Sequence, residues 1–160
     1  MSGTDYPAPG LLRRLAAMVY DAFLVIPLLM FVVALAMGLR ELLGEGGEEL
    51  LSPMLVQSLT VLSVVGFFSA FWLKGGQTLG MQAWRIRLVA SAGNELTFGR
   101  TVTRIGAALL SAACLGMGYW WCLIDRRKRS WHDHLSGTEL VLLPKKNKAG
   151  RPRGSGATQE

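Results

Sequence analysis

Arg14 and Asp21 are ionisable residues at the edge of a strongly apolar stretch, the run from Ala22 to Leu39 containing no charge at all. On a helix, residues seven apart share a face and are separated by about two turns, or ~10 Å along the axis. A carboxylate at the Asp21 position of a membrane helix lies inside the apolar zone, where an Asp at mid-depth costs ~2.5–3.5 kcal/mol to insert, so something must offset it. An ion pair with Arg14 or Arg104 would do so, as would an acid kept neutral. The alternative is a carboxylate that binds a proton or a cation. Pro27 removes an amide donor and leaves the Phe23 carbonyl free near Asp21, which suits a cation site, although a kink that shapes packing is the simpler account of it.

The remaining polar candidates have plainer explanations beside them. Thr60, Ser63, Gly66 and Ser69 (or Ala70) recur at three-residue spacing. Such a stripe lets membrane helices approach closely, and in an antiparallel pair it brings Ser69 near the depth of Asp21 as a supporting ligand. Gly76-Gln-Thr-Leu-Gly80 has GxxxG spacing but reads as a tight turn at the interface. Arg100 and Arg104, one helical turn apart, suit either a snorkelling role or a supporting place in the ion site. Trp131-His132-Asp133-His134 resembles a ligand cluster, yet neighbours on one short segment cannot all face a metal and no distant Cys or His completes a set, so no metal is expected. No serine-nucleophile pattern, zinc-protease pattern or phosphate loop occurs, so neither catalysis nor a cofactor is expected.

The elements that must hold these residues follow from the distribution of charge. Of 160 residues, 51% are hydrophobic and 18% charged, which excludes a disordered chain. The mean hydropathy is +0.33. Ala22–Leu39, Leu50–Leu73 and Ile105–Ile124 are charge-free runs of 18, 24 and 20 residues. Each reaches the length that crosses a hydrocarbon core of ~30 Å, so the chain reads as an integral membrane protein. Arg13 and Arg14 before an apolar stretch, with Ala34-Leu35-Ala36 after it, resemble a signal peptide, but Asp21 and Pro27 interrupt the would-be core and the first run is read as a retained helix. Cys114 and Cys122 lie within the third run and read as small hydrophobic residues.

The expected fold class is an all-α membrane protein. It has two transmembrane helices, about 11–39 and 53–73, a third re-entrant or broken apolar segment at about 101–124, and a small cytoplasmic β-hairpin at about 84–98. Ser52 before Pro53 marks the N-cap of helix 2. The hairpin is expected because Trp84, Ile86 and Leu88 alternate with Arg85 and Arg87 and Ala92-Gly93-Asn94 offers a turn. Two strands alone are marginal, and Thr138–Leu143 is the only other strand-like run available to join them. Residues 1–10 read as a flexible lead-in, 11–143 as the membrane domain and 144–160 as a disordered basic tail.

Charge settles the expected topology. Lys and Arg number 2 before helix 1, 1 between the first two helices, 5 before the third run and 9 after it. Three full spans divide them 7 to 10, whereas a third run that enters and returns divides them 16 to 1. The positive-inside rule prefers the second arrangement, with a break at Gly116 and Gly118 and both termini in the cytoplasm. Broken backbone at that depth needs protein or a wet cavity to cover it.

RRLAAMVYD, KGGQTLGMQAWRIRLV and LIDRRKRSWHDHLSGTELV, in this order over about residues 7–143, resemble the RDD family of small membrane proteins. The family is named for an Arg opening its first helix, an Asp within that helix and a later Asp, which correspond here to Arg14, Asp21 and Asp133. The resemblance implies a transport-related membrane protein, cation/proton exchange being the activity proposed for some relatives. The expected function is accordingly handling of a small solute or ion in the inner membrane through Asp21. Too few helices are present to enclose a pathway alone, so a homo-oligomer or another membrane subunit is expected. The alternative is a non-transporting adaptor that binds a protein partner or anionic lipid. Lipid attraction accounts for the basic tail more cheaply than nucleic acid does.

Overall fold

The computed structural model describes residues 6–44, 51–91 and 94–144. Two long helices dominate it: α1, Leu11–Leu42, and α2, Pro53–Gly75. Both are long and apolar enough to cross a membrane. Their large side chains, among them Phe23, Met30 and Phe31 on α1 and Met54 and Leu62 on α2, point outward. This suits a chain whose solvent is hydrocarbon. Helix α2 starts as its sequence dictates: the Ser52 hydroxyl accepts from the Leu55 amide at 3.3 Å with Pro53 in the first turn, and Gly76 closes it at φ 70°. Pro27 lies inside α1, which runs on past it.

A short helix α3, Leu79–Ala83, follows and leads into β1, Ile86–Ala90. The expected hairpin is not formed. β1 pairs antiparallel with β2, Thr138–Leu142, in the register Ile86 opposite Leu142, Leu88 opposite Leu140 and Ala90 opposite Thr138. Residues 94–97 are not a strand and Phe98 already begins helix α4, Phe98–Ala113. The turn positions Ala92 and Gly93 lie outside the described residues. Two physical reasons explain the exchange. The segment from Phe98 carries a helical stripe, Thr101, Arg104, Ile105 and Ser111, that is buried only as a helix. Thr138–Leu142 meanwhile offers β1 a ladder beside the core. Ile86, Leu88 and Ala90 all face inward. The small sheet is anchored at its margins: Leu142 N–H donates to Pro7 C=O, Leu143 N–H to Arg85 C=O, and Leu88 N–H to Gly76 C=O at 2.7–2.9 Å. Part of the lead-in is thus docked, with Pro9 fully buried.

The third apolar run is broken. α4 ends at Ala113, and helix α5, Met117–Trp120, with the 3-10 turn Trp121–Leu123 that continues it, sets off at 107° to α4. Leu115 and Gly116 take φ 54° and 75° at the break, and the left-handed Gly116 accepts no strain there. Gly118 is not at the break but inside α5, where a Cβ would strike the Ser111 hydroxyl. The chain then returns through helix α6, Trp131–Ser136, which packs along α4 and delivers β2. Among the described residues, helices long enough to span therefore number two, or three if the bent pair is one span. A compact core of Ala17, Trp72, Met81, Ile86, Leu88 and Ile105 lies where α1, α2, α4 and the sheet converge.

Candidate functional site: two buried carboxylates

Helix α6 begins with Ser130, whose amide donates to the Asp133 carboxylate at 2.8 Å, a capping box that fixes the side chain inward. Both oxygens of Asp133 are then taken. Oδ2 accepts from Arg14 Nη1 at 2.8 Å and from the Ser130 hydroxyl at 2.9 Å, while Oδ1 accepts from Arg104 Nη1 at 2.6 Å. Arg14 is held by the protein around it: Nε donates to Pro9 C=O, Nη1 also to Ser130 Oγ and Nη2 to Lys128 C=O at 2.6 Å. Arg104 Nη1 donates as well to Thr138 Oγ1, and its guanidinium carbon lies 5.7 Å from the Trp72 ring centre. Both arginines are only 4% exposed and Asp133 1%.

Three separate elements, α1, α4 and α6, are therefore tied by one carboxylate. Burial opposes its charge, but Arg104 and Arg14 overcome that and hold its carboxyl well below the usual carboxylate range. His132, next in sequence, has no opposing anion strong enough to keep it charged. Burial first, and then Arg104, lower it to about 3, so it is a neutral imidazole tilted against Tyr119 at 4.8 Å between ring centres. Its Nδ1 has no hydrogen-bond partner among the described residues.

Asp21 forms a second, different centre. Thr78 Oγ1 donates to its Oδ2 at 2.5 Å and the Gly80 amide donates to its Oδ1 at 2.9 Å. Thr78 is also the N-cap of α3, its hydroxyl accepting from Met81 N–H at 3.2 Å. Gly80 is required by the close approach: a Cβ there would collide with the Ala17 carbonyl oxygen and lie 2.8 Å from Asp21 Oδ1. No ion pair to Asp21 occurs among the described residues. A cavity of about 250 Å³ between α1, α2 and α4 is lined by Asp21 and, elsewhere on its wall, by Arg14, Arg104 and His132, with Val64 and Phe68 among its apolar sides.

The structure thus brings Arg14, Arg104 and Asp133 together and sets Asp21 apart. The ion pair of Asp21 with Arg14 or Arg104, open from the sequence, is not made. Both arginines are turned to Asp133 instead. Ser69 does not reach Asp21 and shares a hydrogen bond of 3.0 Å with Thr101 Oγ1. Gly66, in the same small-residue stripe, has nothing within 4 Å of a Cβ, so the stripe does not act as one close contact within the chain. Arg100 donates to Gly137 C=O at 3.4 Å, beside the α6–β2 turn and apart from Asp133. Thr78, Gly80 and Ser130 were not singled out from sequence as partners. The signals were there in the Ser-x-x-Asp spacing of 130–133 and the GxxxG of 76–80. Among the described residues no three His, Cys, Asp or Glu gather to hold a metal.

No curated protein and no solved structure matches the chain. The RDD family model does, over residues 8–137, a span that contains Arg14, Asp21 and Asp133 together with every partner named above except Thr138. With most of its length so matched, this chain, a membrane-type protein with apolar helices, belongs to the RDD family.

Proposed function

We propose that this RDD-family protein moves a small solute or ion across the cytoplasmic membrane, by cation/proton exchange, with Asp21 as the exchanging carboxylate. The observation that carries the reading is the contrast between the two acids. Asp133 faces two guanidinium groups, which can only donate, and a Ser130 hydroxyl whose oxygen already accepts from Arg14, so a proton on it would replace an acceptor by a donor against donors. Asp21 faces a hydroxyl, which can donate or accept. A proton can therefore arrive and leave with Thr78 still bonded. Asp21 also borders a cavity, and an intramembrane carboxylate without a cation is a functional residue by default.

In this reading the bent third segment is re-entrant, both termini are cytoplasmic, and several copies or a partner subunit together enclose the pathway. Cation-driven proton flux in proteoliposomes tests it: flux in the wild type that is lost in Asp21→Asn, with the variant still folded, is the expected result. Equal flux in the two overturns it. A second reading, a non-transporting membrane adaptor, is favoured by the engagement of Arg14 with Asp133 inside the chain, and predicts no flux from the wild type.

A further inference from the structure

The loop between the 3-10 turn and α6, Asp125-Arg-Arg-Lys-Arg129, is built rather than loose. Asp125 Oδ2 accepts from the amides of Arg127 and Arg129 at 3.2 and 2.9 Å, and Lys128 N–H donates to Asp125 C=O. Lys128 takes φ 54°, and its carbonyl is pinned by Arg14. Asp125 is thereby spent inside the loop and the Lys128 carbonyl on Arg14. The side chains of Arg126, Arg127 and Lys128 are left exposed, and no ion pair to them occurs among the described residues.

Opposite them lies the docked segment Tyr6–Ala8, and the space between is a cavity of about 450 Å³. Among the described residues its charged lining is Arg14 and the four basic residues of the loop, with Glu139 as the one acid. Asp125 adjoins it, already engaged by its own loop and 3.6 Å from Arg129 Nε. Directly before this loop stand exposed Trp120, Trp121, Leu123 and Ile124, the last 76% exposed. Indole rings favour the headgroup level of a bilayer, and basic clusters beside it attract anionic lipid.

We infer that this cup is a binding site for the phosphodiester headgroup of an anionic phospholipid, its acyl chains lying on the apolar collar of residues 120–124. A free phosphate would find the same cations but no use for the collar. This site is separate from Asp21, does not rest on the transport reading, and is distinct from the basic tail.

The test is photolabelling of the full chain in nanodiscs of phosphatidylcholine containing a little phosphatidylglycerol with a photoreactive headgroup, followed by peptide mapping. Labels concentrated on residues 6–8 and 126–129 are expected. Arg126→Gln, Arg127→Gln and Lys128→Gln together should weaken labelling about a hundredfold, each cation contributing roughly fivefold at an anionic surface. Neutralising Lys145, Lys146, Lys148, Arg151 and Arg153 should leave the map in place. A wild-type map centred on the tail, or spread evenly over basic residues, overturns the site whether or not the variants fold. Displacement of the label by soluble glycerol phosphate overturns the lipid assignment in favour of a free phosphate.

Discussion

Asp133→Asn is expected to be far more damaging than its size suggests. The substitution nearly preserves the side-chain volume but removes the charge and turns one acceptor oxygen into a donor, and Arg14 and Arg104, each 4% exposed, are left with no anion among the described residues. Removing one partner of a buried ion pair costs about 3–5 kcal/mol, and the altered capping box at Ser130 adds about 1 kcal/mol. At roughly 2–4 °C per kcal/mol for a chain of this length, the thermal midpoint in detergent should fall by about 8–24 °C. Replacing all three, Arg14→Met, Arg104→Met and Asp133→Leu, should cost less than the sum of the single changes, because no stranded charge remains. The pH dependence has a fixed sign. Asp133 is held below the usual carboxylate range, so its contribution is complete above the unfolded value of about 3.9 and is lost only as pH falls through the lower folded value. The gap between wild type and Asp133→Asn should therefore stay level from pH 8 to 5, by intrinsic fluorescence melting, and close only below about pH 4. A variant that melts within a degree or two of the wild type, or a gap that closes near neutrality, would refute the argument that this carboxylate ties α1, α4 and α6.

His132 acts with the same sign over a higher interval. It is neutral in the fold down to about 3 while the unfolded chain takes up its proton near 6.5, so stability should fall across that interval by up to ~1.4 kcal/mol per pH unit. His132→Phe, which keeps the ring against Tyr119, should flatten this part of the pH–melting curve; an unchanged slope assigns it elsewhere. Gly80→Ala should cost about 1–3 kcal/mol, since α3 must lift off Ala17 and Asp21. Gly66→Ala, with open space around it, should instead be neutral or stabilising by about 0.5–1 kcal/mol, and melting of the two variants side by side checks both.

The long helices were legible because each depends on a local property, an uninterrupted apolar run bounded by Ser52-Pro53 or a glycine. The hairpin was misread for a related reason. Alternation from Trp84 to Leu88 identifies a strand but not its partner, and the nearer candidate at 94–98 lost to Thr138–Leu142 because Phe98 onward gains more by burying a helical face.

Carboxylate partners are harder still. The presence of Asp21 beside an apolar run says that its charge must be offset. Spacing along α1 offers only Arg14, within ~10 Å, as the group to do it. The fold instead supplies Thr78 and Gly80, from 57 and 59 residues away, and gives Arg14 to an acid 119 residues away. Helical periodicity orders the neighbours on one helix, whereas these bonds are set by which helices pack and by the left-handed Gly76 that turns α3 back against α1. Asp21 is visible in the sequence as a residue that needs a partner, and Asp133 as the later acid of the RDD pattern. Whether that partner is a pair of guanidinium groups that lock the charge in place, or a hydroxyl that tolerates its removal, depends on contacts between elements, and on that difference rests the assignment of exchange to Asp21 and of anchorage to Asp133.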